Sequence, residues 1–288
     1  MRTPVILVLA LLAPAVLAQP YKVYVVAVSE AGDSWVSRDA FASFLASYLK
    51  QAGIQFTTIT KMADWQRLME DAPSNVLVIF AHGEVIPIPD KYGSNYTAYY
   101  QDLAALVRDK GWVLVAPIGL FTWLIGNERT VGYTNVVDGP SVSAFRRALG
   151  LPPINPWCDQ SAQASELAQR VSAVLGISFP STVGAARAIA VAPPAEPLWY
   201  LYKVPESVKT ANFDNVTRPF YAMAAWKVGK GMLVWGGMSG GEESRKAAIT
   251  AVAVAYILAP TLAQKQPPPP PLITPEKVYM YALIGAVI

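Results

Sequence analysis

A single cysteine, Cys158, and a single histidine, His82, occur in 288 residues. One thiol excludes an internal disulfide framework and any multi-cysteine metal site, so the fold has to be held by its core. One imidazole with scattered carboxylates lacks the ligand spacing of a zinc or calcium centre, so no metal is expected. Charge is scarce as well: 15% of the residues are charged and the net charge is +3. That is too weak for a nucleic-acid partner, and no basic stripe runs between the aromatic residues. No cofactor is implied either. The glycine-rich stretch Gly236-Gly-Met-Ser-Gly-Gly-Glu-Glu243 lacks the lysine that a nucleotide-binding loop requires. Its two glutamates would repel a phosphate at a helix N-terminus, whereas Ser239 and Glu242 have the spacing of a capping box.

Apolar material is abundant, at 53% of the chain, and part of it reads as address rather than core. Residues 1–18, MRTPVILVLALLAPAVLA, carry one early arginine, an apolar run and small residues placed for cleavage before Gln19. This is the pattern of a secretory signal peptide; a retained N-terminal anchor would need a longer run. Five consecutive prolines, Pro267 to Pro271, lie in a proline-rich stalk over 264–277, an extended spacer with no place in a packed core. The 11 residues from Val278 to Ile288 are uncharged and mostly apolar. They resemble the first half of a membrane anchor, or a short tail that docks on the domain, since a spanning helix takes about 20. The longer apolar stretch Ala247 to Ala259 follows a charged run and stops at Pro260, so it reads as a buried helix of the domain. Sequons at Asn95 and Asn215 are compatible with N-glycosylation outside the cell.

Between signal and stalk, residues 19–263 alternate in pattern. Lys22 to Val28 is a strand, and Ser37 to Lys50 a helix with Phe41, Phe44, Leu45, Tyr48 and Leu49 on one face. Gln55 to Thr60, Asn75 to Ala81 and Trp112 to Pro117 continue as strands, with helices over Ala63 to Glu70 and Tyr96 to Lys110. The unbroken apolar run NVLVIFA favours a parallel sheet covered on both faces. After a long excursion from Gly119 to Asp138, helices are expected over Pro140 to Leu149 and Ser161 to Leu175, and strands over Ala188 to Val191 and Leu198 to Val204. Phe220 to Trp226 and Gly231 to Trp235 flank a glycine turn with hairpin character. The fold expected is α/β: an open, mostly parallel, doubly wound, flavodoxin-like sheet with a late β-hairpin.

This order, the hairpin Trp226-Lys-Val-Gly-Lys-Gly-Met-Leu-Val-Trp235 and the glycine-rich opening of a final helix resemble the class I glutamine amidotransferase-like superfamily. The nearest look is to non-amidotransferase branches such as ThuA-like domains. The resemblance spans roughly Lys22 to Ala259 and rests on short, glycine-based motifs. It implies, for catalytic members, a cysteine on a tight elbow after a central strand and a His-x-Glu pair later in the chain. Here the elbow reads Ile118-Gly119-Leu120-Phe121, Cys158 lies about forty residues beyond it, and His82-Gly83-Glu84 precedes both. The nucleophile is missing and the order is wrong, so no catalytic residue is expected.

A ligand crevice remains. Ligands of open parallel sheets bind beyond the carboxyl ends of the strands. Glu30, Asp33, Ser34 and Trp35 leave the first strand at that edge, and His82, Gly83 and Glu84 leave the third. Alternatively, His82 caps its strand and hydrogen-bonds a neighbouring loop. Trp112, Trp226 and Trp235 belong to strands and the core; Trp35, Trp123 and Trp157 fall in loops, where an aromatic can stack on a sugar or a partner. Two functions are compatible with these residues: an exported, membrane-tethered, non-catalytic domain that binds a glycan or envelope protein, or an envelope hydrolase acting on a sugar or amide through His82 and Glu84, Glu30 or Asp33. Fractionation of cells making the full chain, and a version ending at Ala263, should leave the first with membranes and the second in the soluble fraction. Equal release of both would defeat the anchor.

Overall fold

Apolar runs of five and six residues, VLVIF and VLVAPI, form the centre of the sheet, buried along their whole length. The computed structural model describes residues 21–119, 124–126, 134–135, 146–151, 154–155, 160–191, 196–206 and 219–258. The N-terminal apolar segment and the proline-rich and apolar C-terminal segments, together with Cys158, Asn215, Trp123, Trp157, Leu120 and most of the Gly119 to Asp138 and Pro140 to Leu149 stretches, lie outside them.

In the first half, β1 (Lys22–Val26), α1 (Arg38–Gln51), β2 (Phe56–Ile59), α2 (Met62–Asp71), β3 (Val76–Phe80), the short β4 (Val85–Pro87), α3 (Tyr96–Lys110) and β5 (Val113–Ile118) follow one another. Short strands β6 (Leu124–Gly126), β7 (Thr134–Asn135) and β8 (Ile154–Asn155) come next. Then come β9 (Gln160–Ala164), α4 (Glu166–Leu175), β10 (Thr182–Ala185), β11 (Ala190–Val191), β12 (Trp199–Lys203), β13 (Tyr221–Val228), β14 (Gly231–Met238) and α5 (Ser244–Leu258).

Nine strands form one open mixed sheet in the order β10-β9-β12-β13-β14-β5-β3-β1-β2. The pairs from β14 through β5, β3 and β1 to β2 are all parallel, which is the doubly wound half expected. The late hairpin of β13 and β14 is antiparallel, and β12, β9 and β10 extend it as a wing. The wing strands of the second half therefore add to the same sheet, while β8 pairs with β11, and β4 with β6 and β7, in two small sheets apart from it.

Period two explains the two layers of core. Leu77, Ile79, Val113 and Val115 face Phe41, Leu45 and Leu49 of α1 and the alanines of α5. Val76, Val78, Phe80 and Leu114 face Trp65 of α2 and Tyr99, Leu103 and Val107 of α3. On the second face Trp65 meets Phe80 edge-on at 5.7 Å. Its indole N–H and the Tyr99 hydroxyl both donate to the Pro87 carbonyl, so the polar tips of two buried aromatics are satisfied by one carbonyl at the end of β4. Helix α5 is the buried apolar helix anticipated before the stalk: Ala247, Ala248, Ala251 and Ala255 are inaccessible. Among the described residues no helix is long and apolar enough to cross a membrane.

Two local expectations are corrected. The helix expected over Ser161 to Leu175 starts at Glu166; Gln160–Ala164 is instead β9, paired with β10 and β12. Ser165 explains the break, because its hydroxyl accepts from the Ala168 N–H as an N-cap, and the alternating burial before it suits a strand. The capping box of Ser239 and Glu242 does not form. Gly240 precedes a 3-10 turn, Gly241–Glu243, without a side-chain cap, and the Glu243 carboxylate pairs with Lys246 and accepts from the Gly184 N–H.

At Gly236 the fold admits no side chain. The register between β14 and β5 is irregular between Trp235 and Met238, and a Cβ on Gly236 would stand 2.1 Å from the Pro117 carbonyl oxygen. Backbone against backbone cannot relax cheaply. Gly236→Ala should therefore destabilise by about 2 kcal/mol or more, read as a lower urea midpoint at unchanged slope.

Candidate functional site

The carboxyl edge of β1, β3, β5 and β14 is assembled from the loops that leave each strand. The loop after β1 crosses to the loop after β3, where the Ser34 N–H donates to the His82 carbonyl at 3.1 Å and Ser34 forms a parallel bridge with Gly83. Gly83 is obligatory there: its φ is +67°, and a Cβ would lie 1.7 Å from the Ser34 oxygen. On its other side the Trp35 carbonyl accepts from the Gly241 N–H at 2.7 Å. The loops expected to converge do so.

Within this edge the anticipated residues separate into two groups. His82 is fully buried. Its Nε2 accepts from the Val28 N–H at 2.9 Å, and its Nδ1 lies 2.8 Å from the Gly32 carbonyl. A backbone N–H only donates and a carbonyl only accepts, so the ring is the neutral Nδ1–H form. Burial is the largest cause holding its pKa down, to about 4. Both nitrogens are committed to the first loop, and the ring reaches no crevice. Glu30 and Asp33 are likewise structural. Glu30 accepts from the Met62 N–H at the start of α2 and from the Ser29 hydroxyl, and Asp33 accepts from the Arg38 N–H at the start of α1. Carboxylates suit the positive ends of helices. Arg38 completes the loop: its Nη1 donates to the carbonyls of Val28, Ser29 and Ala31.

The second group is Trp35 and Glu84, joined by a residue that sequence reasoning passed over, Arg187. Trp35 has φ +69°, the left-handed region that a bulky residue rarely occupies, and the residue is 55% exposed. The indole N–H donates to Glu84 Oε2 at 2.8 Å. The Arg187 guanidinium lies 5.9 Å from the indole centre, and its Nε stands 3.6 Å from Glu84 Oε1. Glu84 and Arg187 are largely buried beneath the indole, at 3% and 14% exposure. Arg187 is held by its backbone: its N–H donates to the Gly237 carbonyl, and its carbonyl accepts from the Trp235 indole N–H. One signal could have found it, since Arg187 is the only charged residue between Arg170 and Glu196.

Glu84 also fills the elbow. Gly119 follows β5 with φ +64°, and a Cβ there would lie 2.2 Å from Glu84 Cγ. The place where a nucleophile's side chain would begin is taken by a carboxylate stem. A hydrolase constellation is not brought together either: His82 is sealed into its loop, and Glu30 and Asp33 cap helices. Among the described residues no group of three or more metal-ligating side chains occurs. A cavity of about 480 Å³ lies elsewhere, on the wing between β9, β10 and α4, lined among others by Gln163, Gln169, Phe179 and Thr182. The edge at Trp35 presents an exposed ring.

No family profile matches the sequence, and no curated protein matches it. Among solved structures the chain is similar to a ThuA-like protein from Bacteroides uniformis, with 14% identity over 85% of this chain and 93% of that one and a TM-score of 0.42. It is also similar to a β-galactosidase from Bacillus circulans sp. alkalophilus, with 11% identity over 83% of this chain and 32% of that one and a TM-score of 0.44. A β-galactosidase from Rahnella sp. R3 gives 16% identity over 83% and 31% and a TM-score of 0.42. The chain spans about a third of the length of the two β-galactosidases.

The contest between Gly119 and Glu84 can be measured. Gly119→Ala should cost about 2 kcal/mol or more through the clash. In a Glu84→Ala background the same change should retain only the roughly 1–2 kcal/mol of a left-handed alanine. A double-mutant cycle by urea unfolding should therefore be less than additive, and additivity would remove Glu84 from the elbow.

Proposed function

We propose that this chain is an exported, membrane-tethered, non-catalytic domain of the ThuA-like branch of the amidotransferase-like superfamily, and that it binds a glycan or a protein partner at the cell envelope through the edge around Trp35. The family reading is supported by the parallel strand order β14-β5-β3-β1-β2 and by a glycine elbow directly after the central β5. Export and tethering are supported by the sequence of the two ends alone.

The observation that carries the binding reading is the half-exposed indole of Trp35 hydrogen-bonded to a buried carboxylate. A ring fixed at its N–H presents its apolar face at low entropic cost, and such a face suits the C–H-rich side of a sugar ring better than a charged ligand. The glycan is therefore the favoured partner. The non-catalytic reading is supported by an elbow whose sequence has no nucleophile and whose Gly119 has no room for a side chain beside Glu84, since covalent catalysis needs a nucleophile within hydrogen-bond reach of its base.

Binding of the purified protein to an array of envelope polysaccharides and their soluble oligosaccharides tests the proposal. Trp35→Ala should weaken the strongest interaction at least about tenfold, or about 1.4 kcal/mol, and Cys158→Ala should leave it unchanged. Equal binding by Trp35→Ala would overturn the site, and hydrolytic turnover abolished by Cys158→Ala would overturn the non-catalytic reading.

A further inference from the structure

We propose that His82 is an acid-sensitive latch on the loop that carries Trp35, holding the loop closed while the imidazole is neutral and releasing it on protonation. The geometry leaves the second proton no place. Nε2 already faces the Val28 N–H at 2.9 Å, and Nδ1 already donates to the Gly32 carbonyl at 2.8 Å. A proton on Nε2 sets two donors against each other inside a fully buried site. Relief requires the Val28 N–H and Nε2 to part, while the Nδ1–H bond to the Gly32 carbonyl survives protonation; Val28 stands where the chain leaves β1 for the loop that carries Trp35.

Charged groups near the ring act in both directions. Arg38 of α1 disfavours a second positive charge, whereas Asp33 of the loop and Asp39 of α1 favour it; burial outweighs them and holds the imidazole neutral down to about pH 4. Glu84, two residues away, is engaged with Trp35 and Arg187. The released loop exposes an imidazole with an ordinary pKa of 6.5. Because the closed state has the lower pKa, the open state binds more protons, and closure weakens as pH falls. The opening constant should rise about tenfold per pH unit from pH 6.5 toward pH 4, to a limit of about three hundredfold.

As regulation of ligand binding this rests on the reading of Trp35 as a platform; the latch itself does not, and it can be tested without a ligand. With one histidine in the chain, its ¹⁵N resonances are unambiguous. Amide hydrogen exchange of the full-length protein, corrected for the intrinsic effect of pH, should show Val28 losing protection with this slope while Ile79 in β3 stays protected. His82→Gln, which can still accept and donate but does not titrate, should abolish the slope. Parallel loss at Val28 and Ile79, or a slope that survives in His82→Gln, would overturn the latch. So would a wild-type Nε2 that carries the proton at pH 7, a result that needs no variant. If Trp35→Ala binds glycans normally while the Val28 slope is present, the platform fails and the latch stands.

Discussion

A neutral imidazole between the Val28 N–H and the Gly32 carbonyl fixes the course of the chain as it leaves β1, and the arrangement of the whole carboxyl edge follows from that course. The loop it holds packs Val28, Ala31 and Val36 into the core and leaves polar backbone groups beside them. Five of its backbone groups are bonded by two side chains from outside, His82 after β3 and Arg38 at the start of α1, which takes three carbonyls with one nitrogen. A buried polar group left without a partner costs about 1–3 kcal/mol, so these bonds act together. With the loop set, Ser34 pairs with Gly83 and the Trp35 carbonyl reaches Gly241. Three strand ends are thereby tied into one surface.

Glu84 then decides what this surface can do. A buried carboxylate must be paired and hydrogen-bonded, and Glu84 has the Trp35 indole on one oxygen and the Arg187 guanidinium near the other. Its stem passes through the volume that a side chain at Gly119 would need. The same residue thus supports an exposed aromatic ring and closes the elbow. A nucleophile at 119 and a supported indole at 35 are mutually exclusive while Glu84 lies as it does, and the sequence carries glycine at the first and tryptophan at the second.

The parallel half of the fold was legible because its signals are local. VLVIF and VLVAPI are apolar throughout since both faces are covered, and the spacing of Phe41, Leu45 and Leu49 states the helix directly. The wing was less legible. Gln160 to Ala164 continues the apparent helix of Glu166 to Leu175, and only its pairing with β10 and β12, far along the chain, makes it a strand. The site was legible as a neighbourhood but not as roles. Glu30, Asp33 and Glu84 are alike in sequence as carboxylates beside a strand end. What separates them is whether a helix N-terminus or a guanidinium is the nearest donor, and that depends on tertiary placement. The bland reading of His82, a residue that bonds a neighbouring loop, is the one the geometry bears out.

The remaining oddity is Trp35 itself. Its left-handed backbone costs about 1–2 kcal/mol relative to an ordinary conformation, and a glycine would supply the turn without that cost, as Gly83 does opposite it. Burial does not offset the strain, because the residue is exposed. The indole N–H bond to Glu84 offsets part of it, since hydrogen bonds to charged groups contribute about 1.5–3 kcal/mol. Yet that carboxylate has the Arg187 guanidinium beside it as well, and a smaller donor could serve it too. A tryptophan at a glycine-like position, exposed and fixed at its N–H, is therefore poorly explained by stability. Strain of this kind persists where the surrounding structure over-determines it and clusters at binding sites. Here the determinants are the His82-held loop on one side and the Gly240-Gly241 turn on the other, which together hold one aromatic face outward.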